Sequence, residues 1–231
     1  MQPQSQLHIA IDGPVAAGKG DIASLLSKDL GFFYINTGAM YRMLALACIN
    51  NHIDRKDEEK VLETLKQITM ELKPPSPSSD QTYQALLNGI DVTKRILEPD
   101  VADGSSDVGT HPSIRKHLVF VQKEMARGKQ VVMEGRDIGL RVLPQAQLKI
   151  YLTASLSERA RRRYEQWKNK GINKMFEEVM EEIKDRDWQD MHRSADPLQK
   201  LPDAWELDTT GLTQQEVVEK IKAELKVRKL L

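Results

Sequence analysis

A short apolar run leads directly into a glycine-rich loop near the start of this 231-residue chain, and this junction restricts the possible folds most strongly. Leu7–Ile11 has the length and composition of a buried strand, and a helix-like stretch follows the loop as far as Leu30. The order strand, loop and helix, with this glycine and lysine spacing, indicates a phosphate-binding loop (P-loop). Glycines let backbone N–H groups turn toward phosphate oxygens, the helix N-terminus adds its dipole, and Lys19 adds positive charge. The residues predicted to contact a nucleoside triphosphate are Gly13, Pro14, Val15, Ala16, Ala17, Gly18, Lys19, Gly20 and Asp21.

Apolar runs of strand length alternate with longer amphipathic segments along the rest of the chain. Further strands are predicted at Phe32–Ile35, Gln130–Met133, Leu148–Leu152 and Ala204–Leu207. The predicted helices are Gly20–Leu30, Ala39–Asn50, Ser113–Arg127, Ser157–Lys170, Phe176–Arg186 and Thr213–Val227. Strands separated by helices favour a parallel sheet with helices on both faces. The sequence therefore predicts a three-layer α/β fold around a five-stranded parallel sheet.

One region interrupts this alternation. A proline-rich stretch, Lys73–Asp80, lies between the short apolar run Ile68–Leu72 and the segment Thr82–Ile90, which contains the turn dipeptide Asn88-Gly89. This pattern predicts a small antiparallel insertion in the parallel core. A solvent-exposed excursion without a sheet is the alternative.

The composition excludes several classes of function. Lys plus Arg (34) equals Asp plus Glu (34), so no net field attracts nucleic acid or a membrane surface, and an anionic ligand needs a local cluster of positive charge. No run approaches the length of a membrane helix. Cys48, the only cysteine, lies in an apolar helical segment and is expected to be buried, which rules out a disulfide within the chain. The histidines lack metal-ligand spacing. We expect a cytoplasmic protein without nucleic-acid or membrane partners.

Arginines follow the predicted strands at the edge where parallel sheets bind ligands. Arg42 opens the helix after the second strand, and Arg136 lies beside Asp137 after the third core strand. Helical spacing places Arg186, Asp190 and Arg193 on one face. Phosphoryl transfer requires such groups, because catalysis consists of positioning and neutralisation of charge. A second basic cluster, Arg159–Arg163, is equally typical of a solvated helix face.

These motifs, taken together, resemble those of bacterial cytidylate (CMP) kinases from Ile9 to the last helix. The segments that carry the resemblance are Ile11–Pro14, Gly18–Gly20, Thr37–Arg42, Ser106–Val108 with Pro112 and Arg115, Gly135–Gly139, Glu158–Arg163, Glu182–Arg193 and Leu207–Thr210. Several separate motifs in the right order make the resemblance specific.

The resemblance implies a P-loop NTPase fold with three functional segments. The kinase core would span residues 1–67 and 100–231, a nucleoside-monophosphate (NMP)-binding insertion residues 68–99, and a helical lid residues 155–173. The implied activity is transfer of the γ-phosphoryl of ATP to CMP or dCMP with Mg²⁺, in line and without a covalent intermediate. A monomer is implied.

The resemblance also implies roles for individual residues. Those that would hold CMP are Arg42, Arg136 and Arg193 at its phosphate, Ser106, Arg115 and Asp137 at the cytosine with Thr37 nearby, and Asp190 at the ribose. Those that would act on the transferred phosphoryl are Lys19, Arg136, Arg186 and Arg162. The metal ligands are not identified.

Some positions depart from the family pattern. Ala16 stands where glycine is usual, and neither Gly20 nor Asp21 offers the hydroxyl that normally helps to hold Mg²⁺. Asn36-Thr37 replaces the common Asp-Ser, and Leu140 replaces threonine. The missing hydroxyl and the acidic Asp21 motivate one alternative, a nucleotide-binding protein that has lost efficient catalysis. A second alternative keeps the P-loop and takes UMP or AMP as acceptor, although Ser106, Arg115 and Asp137, which the resemblance assigns to cytosine, argue against a purine. A GTPase is disfavoured because no Asn-Lys-x-Asp segment is present.

Overall fold

The computed structural model describes residues 6–75, 79, 81–169 and 171–231. Residues 76–78 and 80 of the predicted proline-rich stretch, and Lys170 at the predicted end of a helix, lie outside the described residues. The chain divides into two compact units, of which the first comprises Met1–Phe32 and Gln130–Leu231 and the second Phe33–Lys129.

The structure contains eight strands and eight α-helices within the described ranges. In chain order they are β1 (His8–Asp12), α1 (Lys19–Leu30), β2 (Phe33–Asn36), α2 (Thr37–Asn50), α3 (Glu58–Gln67), β3 (Met70–Lys73), β4 (Gln84–Leu87), β5 (Ile90–Asp91), α4 (Pro99–Val108), α5 (Pro112–Ala126), β6 (Val131–Gly135), β7 (Leu148–Thr153), α6 (Leu156–Asn169), α7 (Phe176–His192), β8 (Trp205–Asp208) and α8 (Gln214–Val227). A 3₁₀ turn, Arg95–Leu97, precedes α4, and a π-helical turn, Ile138–Val142, follows β6.

Four parallel strands form the centre of the first unit, in the order β6-β1-β7-β8. In β1, Ile11 lies opposite Glu134 of β6 on one side and Ile150 of β7 on the other. All five residues of β6 are buried. A strand buried on both faces does not alternate apolar and polar residues, and Val131–Met133 accordingly form a continuous apolar run. The fifth strand of the main sheet, β2, belongs to the second unit. The predicted α/β fold with a five-stranded parallel sheet is confirmed.

Helices α6 and α7 pack against each other and form a small apolar core of their own in the first unit. Its buried residues are Ala160, Trp167, Val179 and Ile183. Because the pair is held by this local core, each helix keeps a fixed face toward its neighbour, and α6 and α7 can place charged side chains accurately.

The second unit contains the predicted antiparallel insertion, which is a three-stranded sheet in the order β3-β4-β5. Asn88 and Gly89 both have positive φ, of 51° and 78°. This is the geometry of the two-residue hairpin turn that an Asn-Gly dipeptide favours, and the predicted antiparallel sheet is confirmed.

Two helices of the second unit were not predicted. Asp57 caps α3 by accepting a hydrogen bond from the Lys60 N–H, and only Val61, Thr64 and Leu65 of this helix are buried. Residues of low helix propensity occupy much of α4, yet the helix packs on α2. Local signals, an N-cap and residues of good helix propensity, therefore support α3, whereas tertiary packing determines the structure of α4 more than local sequence does.

Cys48 is fully buried in α2, as predicted. Burial raises the pKa of its thiol to about 11, against the opposing effect of Arg55. None of the helices in the described ranges is long and apolar enough to cross a membrane.

Candidate active site

The predicted phosphate loop connects β1 to α1 in the first unit, and glycines at both ends are required by its geometry. A Cβ at Gly13 would lie 2.0 Å from the carbonyl oxygen of Leu152 in β7, so no side chain fits there. Gly18 adopts φ 90°, ψ 13° at the start of α1. An L-residue rarely adopts this left-handed conformation, which glycine enters freely. The two glycines therefore hold the loop close to the sheet and turn it into the helix.

Ala16 also lies in the left-handed region, with φ 58°. Glycine, which the family resemblance gives at this position, would adopt this conformation without steric cost. For alanine the cost is about 1–2 kcal/mol. The loop of this chain is therefore strained at one position.

Lys19 is folded back onto the loop that precedes it. Its Nζ donates a hydrogen bond of 2.7 Å to the carbonyl oxygen of Pro14, and the residue is only 5% exposed. Burial, together with the positive charge of Arg136, lowers the pKa of Lys19 to about 7, and Glu134, Asp190 and Asp12 oppose the change. A bound polyphosphate would favour the protonated amine, so the lysine is suited to respond to an anion.

Asp12, at the end of β1, holds the loop that carries Arg136 and Asp137. Its two carboxylate oxygens accept hydrogen bonds from the N–H groups of Ile138 and Gly139, each at 2.8 Å. Burial raises the pKa of Asp12 to about 6, although these two hydrogen bonds lower it. Asp12 was not among the predicted site residues.

Two arginines converge on Asp190 of α7. Arg136 Nε donates to Asp190 Oδ2 at 2.7 Å, and Arg193 Nη1 lies 3.4 Å from Asp190 Oδ1. Arg193 Nη2 is also 4.0 Å from Asp137. Burial alone raises the pKa of Asp190, but the positive charges of Arg136, Arg193 and Arg186 outweigh it and the net pKa is lowered. The structure thus brings together all five predicted residues of this group.

Arg162 of α6 lies against the phosphate loop. Its Nη1 donates to the carbonyl oxygen of Ala17 at 3.2 Å and to the Thr209 hydroxyl at 3.0 Å, while its Nε pairs with Glu158 at 2.8 Å. Asp21 accepts a hydrogen bond of 3.2 Å from Gln214, and partial removal from water raises its pKa against the opposing charge of Arg162. Arg162, Thr209, Asp21 and Gln214 line a cleft beside the loop.

A buried ion pair outside the predicted set also contacts the phosphate loop. Asp187 Oδ1 accepts a hydrogen bond of 3.0 Å from the Val15 N–H, and Arg159 Nη1 donates to the Val15 carbonyl oxygen at 3.1 Å. Arg159 and Asp187 are also paired with each other. In the sequence they lie within two of the segments that carry the family resemblance, Glu158–Arg163 and Glu182–Arg193, but no role was assigned to either of them.

In the second unit, Arg42 lies near the N-terminus of α2. Its Nη2 is 3.3 Å from the Tyr83 hydroxyl and 3.5 Å from Asn36 Oδ1, the oxygen that also caps α2 by accepting from the Ala39 N–H. The Nε of Arg42 is buried and has no hydrogen-bond partner among the described residues. A guanidinium with a spare buried donor is well suited to bind an oxyanion.

The other predicted residues of the second unit lie on three helices. Arg115 is 2% exposed, donates to the Gly109 carbonyl oxygen at 3.3 Å and stacks over the Tyr41 ring at 5.7 Å. Thr37 is buried at the start of α2, and Ser106 is half-buried in α4. A buried arginine that is fixed by stacking is a rigid donor group.

The described residues contain no group of three His, Cys, Asp or Glu side chains that could hold a metal ion.

Comparison with known proteins gives one consistent result. The family model described as cytidylate kinase matches residues 9–227. The chain is 47% identical to the cytidylate kinase of Caldanaerobacter subterraneus subsp. tengcongensis over 215 residues, which cover 93% of this chain and 92% of that protein. It is 43% identical to the cytidylate kinase of Lactobacillus gasseri with the same coverage. An uncharacterized protein from Eubacterium ventriosum shares the fold, with a TM-score of 0.54 at 10% identity and coverage of 96% and 99%.

Proposed function

The chain belongs to the cytidylate kinase family, and on this premise we propose that it transfers the γ-phosphoryl of ATP to CMP or dCMP, giving CDP or dCDP and ADP. The resemblance read from the sequence is thereby confirmed. The observation that carries the proposal is the family match over residues 9–227, because it includes the phosphate loop and every residue proposed below.

The first unit would bind the phosphates of ATP. Backbone amides of the loop Gly13–Asp21 would cradle them, with the dipole of α1 behind. Lys19, whose pKa is about 7 before the anion arrives, would be protonated against the β- and γ-phosphates. Mg²⁺, which would enter with ATP, would supply positive charge against the negative charge that develops during transfer.

Arginines and neighbouring polar groups would hold the acceptor nucleotide. Its phosphate would be bound by Arg42, Arg136 and Arg193. The proposed contacts of the remaining parts are Ser106, Arg115 and Asp137 for the cytosine, with Thr37 nearby, and Asp190 for the ribose hydroxyls. The unpartnered Nε of Arg42 and the rigid stacking of Arg115 support these assignments.

Transfer would proceed in line, with the acceptor phosphate as nucleophile. Arg136, Arg162 and Arg186 would stabilise charge on the moving phosphoryl group, together with Lys19. We assign residues 155–173 to a lid, residues 68–99 to an NMP-binding insertion, and residues 1–67 and 100–231 to the kinase core. Closure of the lid would exclude water from the reaction.

An ADP-release assay with CMP, dCMP, UMP, AMP and GMP tests the activity and the alternative acceptors. We expect CMP and dCMP to stimulate ADP release far above the rate with ATP alone. Lys19→Met should abolish stimulation while leaving the fold intact. If no cytidine nucleotide stimulates release, the proposed function is wrong.

Replacement of Asp21 tests the alternative of impaired catalysis. Asp21→Thr restores a hydroxyl near the phosphates and removes a negative charge. For an efficient enzyme we expect a change in kcat of less than about tenfold, since most catalysis comes from groups that are unchanged. Negligible turnover of the wild type, with strong activation by this substitution, would instead support the impaired binding protein.

We also propose that the enzyme acts in the cytoplasm as a monomer, without nucleic-acid or membrane partners. This rests on the family resemblance and the balanced charge of the chain. Light scattering coupled to size-exclusion chromatography, with and without nucleotides, measures the oligomeric state.

A further inference from the structure

Both polar groups of the Val15 backbone are held by two side chains from α6 and α7. Asp187 Oδ1 accepts from the Val15 N–H at 3.0 Å, and Arg159 Nη1 donates to the Val15 carbonyl oxygen at 3.1 Å. The same Nη1 donates to Asp187 Oδ2, and Arg159 Nε donates to the Ala154 carbonyl oxygen at 3.1 Å. We refer to Arg159 and Asp187 as the Val15 clamp.

The clamp is buried, and its charges neutralise each other. Each residue is only 8% exposed. Because removing two charges from water is costly, a buried ion pair is weak evidence of a stabilising role. Arg159 already uses three of its five N–H groups on Asp187, Val15 and Ala154. The position of the clamp, one residue before the strained Ala16, indicates a different role.

The clamp fixes the direction of an amide in the phosphate loop. A peptide group is planar, and in a trans peptide the C=O of one residue and the N–H of the next point in opposite directions. No cis peptide occurs in the described part of the chain. When Arg159 holds the Val15 carbonyl oxygen, the Ala16 N–H must therefore point away from Arg159. Amides of such loops are the groups that bind phosphates.

We infer that Arg159 and Asp187 are positioning residues, which hold Ala16 in its left-handed conformation and so prepare the loop for ATP. Without the clamp, alanine would relax to a less strained conformation, and ATP binding would have to restore the loop. The inference rests on the proposed function in that the loop is taken to bind ATP. It does not depend on which nucleotide accepts the phosphoryl group.

Replacement of Asp187 by asparagine breaks the clamp with little change in volume. The asparagine Oδ1 can still accept from the Val15 N–H, but an NH₂ group replaces the Oδ2 that accepts from Arg159, and this group donates rather than accepts. We expect the Kd for ATP, measured by calorimetry without CMP, to rise about tenfold, the equivalent of the left-handed cost of one alanine. In steady-state kinetics the KM for ATP should rise much more than the KM for CMP. Asp185→Asn, the same change at an exposed position of α7, is the control and should leave both unchanged.

A double-mutant cycle with Ala16→Gly separates positioning from packing. Glycine adopts the left-handed region without strain, so the clamp has less to hold. Asp187→Asn should then weaken ATP binding by no more than about twofold in the Ala16→Gly background. An equal loss in both backgrounds would show that the pair acts only through packing of α6 and α7. A larger loss with glycine would show that it orders a flexible loop rather than opposing strain. Either result overturns the inference.

Arg159→Lys provides a second variant if Asp187→Asn does not fold. Lysine keeps the charge but cannot hold Ala154, Val15 and Asp187 together as a planar guanidinium does. We expect the same dependence on the residue at position 16. Because ATP binding is measured without an acceptor, these results stand even if the CMP assay fails. If the wild type binds no ATP, both the proposed function and this inference fail.

Discussion

Replacement of Asp12 by asparagine tests whether a buried carboxyl group makes the stability of this enzyme dependent on pH. Burial raises the pKa of Asp12 from 3.8 to about 6. Between these values the folded protein keeps a proton on Asp12 that the unfolded chain has released. The stability contributed by this group is therefore complete below pH 3.8 and is lost as the pH rises through about 6.

The size of the effect follows from the same pKa values. The full change corresponds to about 3 kcal/mol, at about 1.36 kcal/mol per pH unit. About 2 kcal/mol of it falls between pH 4.5 and pH 7.5, which is equivalent to about 4–8 °C in Tm for a chain of this length. Asp12→Asn should remove this part of the pH dependence. The substitution also leaves one of the N–H groups of Ile138 and Gly139 without an acceptor, which destabilises the fold by about 1–3 kcal/mol at every pH. The test therefore compares the pH dependence of Tm and not its absolute value.

Differential scanning calorimetry of wild type and Asp12→Asn at several pH values between 4.5 and 7.5 measures this slope. We expect the difference in Tm between the wild type and the variant to shift in favour of the wild type as the pH falls. The exposed Asp185→Asn should follow the wild-type curve. Parallel curves for wild type and Asp12→Asn would refute the reasoning, because they would mean that Asp12 has the same pKa in the folded and unfolded states.

Three further predictions concern ATP binding, loop strain and the acceptor phosphate. Because the pKa of Lys19 is lowered to about 7 and phosphates favour its charged form, ATP binding should take up a proton and weaken as the pH rises above 7. Calorimetry in buffers of different ionisation enthalpy measures this proton uptake. Lys19→Met should abolish it. Ala16→Gly should raise Tm by about 1–4 °C, since relief of about 1–2 kcal/mol of strain exceeds the entropic cost of glycine. Ala17→Gly, at a buried position without positive φ, should lower Tm instead. Arg42→Lys should raise the KM for CMP about 10–100-fold through loss of a bidentate, charge-assisted contact, while the exposed Arg127→Lys should not.

Each of these has an outcome that would contradict it. Calorimetric enthalpies that do not depend on the buffer would mean that Lys19 is already protonated before ATP binds. A lower Tm for Ala16→Gly would mean that loop entropy outweighs the strain. An unchanged KM for CMP in Arg42→Lys would remove Arg42 from the proposed phosphate site.

The parts of the fold that the sequence predicts well are those determined by neighbouring residues. The phosphate loop is recognisable because glycines, lysine, strand and helix all lie within Leu7–Leu30. The central strands β1 and β6 of the main sheet are recognisable because nearly all of their residues are buried, which leaves short continuous apolar runs. The Asn88-Gly89 turn is also predictable from neighbouring residues, since two residues determine its backbone.

The parts that the sequence does not predict depend on distant partners. Asp12 is 126 residues from Ile138, and Val15 is 172 residues from Asp187. No local pattern distinguishes these aspartates from others in the chain. Helix α4 was missed because Gly104 and two serines give it low intrinsic propensity, while its stability comes from burial of Val101 and Val108. Local sequence also does not distinguish Arg159, which pairs with Asp187, from Arg162, which pairs with Glu158. Only their three-dimensional contacts do.

The buried position of Cys48 has a practical consequence for work on this enzyme. A thiol with a pKa of about 11 and no exposed surface is almost entirely un-ionised at neutral pH, so maleimide dyes should react with it very slowly in the native protein. Cysteines introduced at exposed positions of α6 or α8 could then be labelled selectively without first removing the native one. Fluorescence measurements of movement in the proposed lid, residues 155–173, would thus report on a chain whose interior packing is unaltered.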